Sequence, residues 1–252
     1  MNYSASITDF FKSPKWLPNL LLGGVCMLIP VVGPLALMGW HVGALYGRRD
    51  DNDFVGYPPF DFSNFGKYIE RGVWPFLAQM VVSLVLVPVM WIVMAVPMFS
   101  MIAITASGQT EGGPPPEPSP ALLMGTVAIM FIGYAICLAV FILLTKPLML
   151  RAIITQDFGA AFNLGFIKHF IALTWKEQIL ATLFIMCAGM VLMILGMLAF
   201  CVGMYFAIGL LMFSAYHLDR QIYDLYLARG GEPVPLSPKL SDSPPPVPVA
   251  RA

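Results

Sequence analysis

Charge is what this 252-residue chain has least of. Asp, Glu, Lys and Arg together make up 11% of it, against about 25% in soluble domains, so most of its surface does not face water. The balance is neutral, with 14 basic and 14 acidic residues. No basic block is present to attract a polyanion, and nucleic acid is excluded as an expected partner. The three histidines are scattered, which argues against a metal site. No G-x-S-x-G, H-E-x-x-H, Walker loop or dinucleotide fingerprint occurs, so the chain is expected not to be an enzyme and to need no cofactor. Cys26, Cys137, Cys187 and Cys201 all lie inside apolar runs without a C-x-x-C pair. They are expected to be buried thiols acting as small hydrophobes. The segment Ser107–Pro120, SGQTEGGPPPEPSP, lacks Lys and Arg altogether.

What is present is hydrophobicity: 58% of residues and a mean hydropathy of +0.78. Charge is confined to short zones between long apolar runs, which predicts an all-α integral membrane protein. Residues 1–16 form an N-terminal interfacial segment. Ser6-x-x-Asp9 has the form of a capping box, and Ile7, Phe10 and Phe11 share one helical face. Lys12 and Lys15 precede apolar sequence as a signal peptide's n-region would, but no small-x-small site follows and the segment is expected to be retained.

A single membrane domain is expected over 17–230, with embedded runs at 17–47, 73–105, 121–150, 178–196 and 200–217. The first run is broken by Pro30-Val31-Val32-Gly33-Pro34, because proline removes a backbone donor and disrupts a helix. Its 31 residues are too few for two full crossings of about 20 residues each. It is therefore either one kinked helix or a re-entrant hairpin, giving about five to six embedded helices in all. Basic residues favour the cytoplasmic side, and Lys12 and Lys15 before the run match Arg48, Arg49, Lys67 and Arg71 after it. The hairpin is the better reading, with Pro30, Gly33 and Pro34 as its structural or functional turn. The same rule places the Lys- and Arg-free 107–120 loop outside and both termini in the cytoplasm, in a membrane expected to be a prokaryotic inner membrane.

Between the third and fourth runs, 151–176 interleaves polar and apolar residues, with Thr155 or Asp157 as helix cap and Phe158, Phe162, Phe166 and Phe170 four apart. This predicts a cytoplasmic amphipathic helix lying on the membrane. The 40-residue apolar block from Gln178 to His217 predicts two spans turning at Gly196–Gly203. Residues 231–252 are proline-rich and are expected to form a disordered tail.

Small residues point to helix packing, and Gly125, Gly133, Gly196 and Gly203 are the positions expected to allow close contact. Polar groups at span ends are the other functional candidates: His41, and His217, Arg220 and Asp224 near the end of the last run, with Arg220 and Asp224 spaced to pair on a helix. A weak repeat joins the two ends of the domain. Val32-Gly33, Gly39 and Tyr46 recur at the same offsets as Val202-Gly203, Gly209 and Tyr216, as in the paired halves of many transporters.

Three stretches carry a family resemblance. Trp16-Leu17-Pro18 leads to Leu28-Ile29-Pro30-Val31-Val32-Gly33 and Gly39-Trp40. Pro59-Phe60-Asp61 is followed by Phe65-Gly66 and Arg71-Gly72. Asp157-Phe158-Gly159-Ala160-Ala161-Phe162 is followed by Leu195-Gly196 and Cys201-Val202-Gly203. Together they resemble the DUF4013 family of bacterial and archaeal multi-spanning membrane proteins, with Gly39-Trp40 standing where that family usually has Gly-Tyr. The resemblance implies the helical fold and the membrane placement and carries no catalytic residue. The expected function is that of a scaffold or accessory subunit binding membrane lipid, another membrane protein or a second copy of itself. The alternative is a transporter or channel built on the Pro30–Pro34 hairpin.

Overall fold

The computed structural model describes residues 1–46, 58–107, 117–199 and 202–241. Among them the chain is all helical: α1 (Tyr3–Phe11), α2 (Trp16–Met27), α3 (Val32–Tyr46), α4 (Phe65–Ser107), α5 (Pro120–Thr155), α6 (Phe158–Ala161), α7 (Leu164–Leu198), α8 (Gly203–Ala228) and α9 (Pro238–Ser241). The chain divides into two units, residues 1–79 with 143–252 and residues 80–142. Arg48, Arg49, Cys201 and most of the 107–120 loop lie outside the described residues.

Side-chain caps set the helix starts. Asn2 accepts from the Ala5 N–H at 3.0 Å, Asp157 from Ala160 at 3.1 Å and Asn163 from Phe166 at 2.9 Å. Two expectations change as a result. Asn2 rather than Ser6 caps α1, leaving Ser6 and Asp9 buried within the helix. The Asn163 cap also divides the expected 151–176 helix. Its first residues end α5, one turn forms α6, and the remainder is the start of α7, which continues unbroken to Leu198. Phe166 and Phe170 consequently face inward against Tyr226, at ring distances of 5.6 and 5.0 Å.

The Pro30–Pro34 break produces two short helices. Gly33 lies against the Cys26 carbonyl and Gly23 against Leu37, so α2 and α3 form an antiparallel hairpin. Val31 occupies its turn at φ +64°, a conformation a β-branched residue rarely adopts. The expected turn at Gly196–Gly203 is present. A Cβ on Gly196 would lie 2.8 Å from the Met204 nitrogen, and α8 returns along α7 from there. Gly33 and Gly203 thus both sit where the second helix of a hairpin begins.

Among the described residues three helices are long and apolar enough to cross a membrane, within Phe62–Ser107, Pro120–Thr155 and Leu164–Leu198. Their most apolar windows are the least covered, at 6%, 0% and 11% buried. α8 is the reverse. It falls short of that apolarity, yet it touches α1, α2, α3 and α7 and buries Phe213, Leu218, Ile222 and Tyr226 almost completely. From Leu210 onward α8 is therefore enclosed by protein, as α3 is along almost all of its length. Apolar groups outside and a less apolar helix inside is the pattern of a chain whose surroundings are lipid, since lipid gives apolar side chains no reason to withdraw.

Residues 231–241 are a further correction. In place of a disordered stretch they form a strap along the first unit. Glu232 and Val234 N–H groups donate to the Tyr226 and Tyr223 hydroxyls at 3.1 and 2.9 Å, and Ser237 N–H donates to the Ile154 carbonyl at 2.9 Å. Arg71 holds the Lys239 carbonyl at 2.7 Å, and Leu240 is fully buried. Burial raises the pKa of the Tyr226 phenol, which keeps it a neutral acceptor for the strap. The rest of the expected tail, 242–252, lies outside the described residues.

Where α3 crosses α4, glycine meets glycine. A Cβ on Gly39 would lie 1.7 Å from the Tyr68 carbonyl oxygen, and one on Gly72 would lie 2.0 Å from the Leu35 oxygen. Both obstacles are backbone, so no rotamer change relieves them. Gly39→Ala or Gly72→Ala should destabilise the chain by about 2 kcal/mol or more, seen as a lower melting temperature and a smaller monodisperse fraction in detergent. Gly66→Ala, which meets nothing within 4 Å, should leave both unchanged.

Candidate functional site

α8 carries a polar run, Ser214, His217, Asp219, Arg220 and Gln221, and its neighbours meet it from two sides. Against α1, Ser214 and Ser6 share a hydrogen bond of 2.8 Å, and His217 Nε2 stands 3.3 Å from Asp9 Oδ2. Gln221 Nε2 lies 3.0 Å from His217 Nδ1 and donates to the Asn2 carbonyl at 3.0 Å. The Asn2 N–H returns a bond to Gln221 Oε1 at 2.6 Å. Lys12 adds its ammonium 2.6 Å from Asp9 Oδ1, and Phe10 packs its ring on Phe213 at 5.1 Å. The helix expected to anchor at an interface is in fact clasped to α8.

On the other side lie α3 and α5. Lys146 pairs with Asp219, both only partly exposed, and Arg220 divides its guanidinium among three acceptors. Nε reaches Asp224 at 3.1 Å, Nη1 caps the end of α3 at the Leu45 carbonyl at 2.8 Å, and the plane lies over the Tyr46 ring at 5.6 Å. The last carbonyls of a helix have no partner within it, so this bond ties α3 to α8. His41 is buried among Trp40, Phe213 and Tyr216, with ring distances of 5.1, 6.1 and 5.7 Å. The Tyr46 and Tyr216 hydroxyls, at matching places in the weak repeat, are both buried without a hydrogen-bond partner among the described residues.

The structure therefore brings His41, His217, Arg220 and Asp224 to one helix. His41 faces the aromatic core rather than an interface, His217 faces α1, and Arg220 pairs with Asp224 as the spacing predicts. Pro30, Gly33 and Pro34 lie at the α2–α3 turn, away from this cluster. Gly196 and Gly203 close the α7–α8 turn. Gly133 lies against Val93, its Cβ position 2.5 Å from Cγ1, while a Cβ on Gly125 meets nothing within 4 Å of its own chain.

Sequence reasoning missed Asn19. Its side chain accepts from the Phe60 N–H at 3.0 Å and donates to the Pro58 carbonyl at 3.4 Å, pinning the chain ahead of α4 onto α2. The signal was available, as Asn19 is a lone amide in an apolar run. A cavity of about 10 Å3 lies between Asn19, Gly23, Leu37, His41 and Gly209, room for at most one water. Asp9, Lys146 and Asp219 were also missed as members of the cluster. Among the described residues no group of three or more His, Cys, Asp or Glu is assembled to hold a metal. Chemically the arrangement is a polar brace, in which charges meet opposite charges or helix-end carbonyls and join α1, α3 and α5 to α8.

A family model described as Protein of unknown function (DUF4013) matches residues 22–216. No curated protein and no solved structure matches the chain.

The brace makes a prediction about its ion pair. Lys146→Met leaves the Asp219 carboxylate without its counter-ion and should lower stability by about 1–3 kcal/mol, less than for a fully buried pair because both groups keep some water. Lys146→Met with Asp219→Leu should recover most of that loss in thermal melts of the detergent-solubilised chain. A double variant no better than the single would show that Lys146 packs rather than pairs.

Proposed function

This chain belongs to the DUF4013 family, and we propose that it works as a membrane scaffold or accessory subunit, holding lipid or another membrane protein rather than transforming a small molecule. The observation that carries this reading is the second unit. It consists of two antiparallel helix segments, from α4 and α5, joined closely at Gly133 and Val93. Two helices cannot enclose their own apolar surface. Leu84, Trp91, Met124 and Phe131 stand 72–74% exposed, and a wholly apolar groove of about 300 Å3 runs between Met94, Val127, Met130, Phe131 and Tyr134. Lipid or a partner's helices would cover such a surface. Gly125, which faces no neighbour in its own chain, supplies the small-residue position at which a foreign helix comes close.

The placement proposed is a prokaryotic inner membrane with both termini in the cytoplasm. Three hairpins support it: α2–α3, the α4–α5 segments and α7–α8. No Lys or Arg falls between residues 16 and 47, 72 and 145, or 177 and 219, so the sequence of each hairpin turn is free of basic residues. The rule that basic residues stay inside then favours turns outside and flanking sequence in the cytoplasm.

The transporter reading retains one supporting observation. The half-length helices α2 and α3 meet beside the small cavity with Asn19 and His41 in its wall, and broken helices with polar residues mark many substrate sites.

A mild-detergent pull-down of the tagged chain separates the two. A scaffold should recover one stoichiometric membrane protein, or a second copy of itself, and Gly125→Leu should release it while leaving the chain's own melting temperature unchanged. Recovery of lipid alone, with transport lost in His41→Ala, would overturn the scaffold in favour of the transporter.

A further inference from the structure

The first turns of α7 combine two faces. Phe166, Phe170, Thr174 and Gln178 point inward. Opposite them, Lys168, Trp175 and Lys176 are exposed, and on the same helical stripe follow Leu183, Met186, Met190 and Ile194, each 50–65% exposed. From Leu180 to Leu198 the stripe is free of charge for about 28 Å at 1.5 Å per residue, which matches the roughly 30 Å hydrocarbon core of a bilayer. Trp175 and Lys176 then fall at the headgroup layer, where tryptophan is enriched. Lys168 stands two turns further out, with a side chain long enough to bend back toward that layer.

Neither lysine has a carboxylate partner among the described residues. The acid beside them, Glu177, is already held by Arg229 through two bonds of 2.6 and 3.1 Å, and Asp157 caps α6. Lys176 lies 5.5 Å from the centre of the Trp175 ring, which steadies the ammonium without neutralising it. His169, next to Lys168, lies 3.4 Å from the Tyr226 hydroxyl and adds no negative charge. The stripe therefore ends in an amphipathic ring and a lysine at the headgroup layer, with a second lysine two turns beyond, and neither ammonium is in an ion pair among the described residues.

We propose that Lys168, Trp175 and Lys176 form a binding site for an anionic phospholipid headgroup, whose acyl chains lie along the Leu183–Ile194 stripe. A zwitterionic headgroup brings its own ammonium against these lysines, so the site prefers a phosphodiester without one. The inference rests on the reading of the chain as a lipid-binding membrane protein and names the lipid class and the place.

The test uses the full chain in neutral detergent, with retained lipid counted by native mass spectrometry after adding phosphatidylglycerol or phosphatidylcholine at equal concentration. The wild-type chain should retain phosphatidylglycerol about tenfold or more in preference. K168Q/K176Q should fall close to parity, each lysine contributing about fivefold, while K168R/K176R and K67Q keep the preference. Circular dichroism and a monodisperse elution profile establish that the glutamine variant is folded; should it not fold, K176Q alone should still show the fivefold loss. A preference unchanged in the glutamine variants, parity in the wild type, or equal competition by free inorganic phosphate would overturn the site. Failure to recover a protein partner would leave this lipid ratio untouched, so the scaffold and the lipid site fail separately.

Discussion

The enclosure of α8 is the constraint from which the rest of the first unit follows. The helix carries His217, Asp219, Arg220 and Gln221 beside some of the most deeply buried apolar residues of the chain. Apolar surroundings tolerate such a helix only where its polar groups are met by others. α1 meets one side through Asn2, Ser6 and Asp9, α5 supplies Lys146, and α3 offers its terminal carbonyl to Arg220. α2 fits against the same helix because Gly24 leaves room for the Phe206 ring, whose nearest carbon would stand 2.1 Å from a Cβ there. Removing any one of these partners leaves a polar group of α8 without its counterpart in the packed unit, which explains why helices distant in sequence converge on it.

That arrangement also divides labour between the two units. Among the described residues the ion pairs and the strap of residues 231–241 belong to the first unit. The second is two apolar helix segments with a groove and no ion pair among its described residues. One unit buries a core of its own, whereas the other leaves most of its large apolar side chains exposed, and the proposed scaffold role draws on that contrast.

Much of the architecture was legible in the sequence, and the parts that were not share a cause. Pro30–Pro34 and Gly196–Gly203 mark turns because proline and glycine act locally, and the structure turns at both. The long apolar runs read correctly as helices for the same reason. Hydropathy alone, however, cannot separate a lipid-facing helix from a protein-enclosed one, so the burial of α8 against α1, α2, α3 and α7 was not readable from its apolar run. The Gly39–Gly72 crossing joins residues 33 positions apart by sequence number, and no local pattern reports it. The strap read as disordered because its composition is rich in proline. Its order comes from Tyr223 and Tyr226 at the end of α8 and from Ile154 and Arg71, which lie far earlier in the chain. At the site, the Arg220–Asp224 spacing was readable because it lies within one helix, whereas the Asp9–His217 and Lys146–Asp219 pairs are tertiary and left no local trace.

The central claim is that α4, α5 and α7 face lipid while α8 is wrapped in protein. The most direct test is an apolar, lipid-partitioning photoreagent activated in native membranes, with labelled positions mapped by peptide mass spectrometry. The account predicts heavy labelling at Leu84, Trp91, Phe131 and Met190, and protection at Phe213, Leu218 and Ile222. Labelling of the α8 positions as heavy as that of the other three helices, or absence of label from α4 and α5, would contradict it.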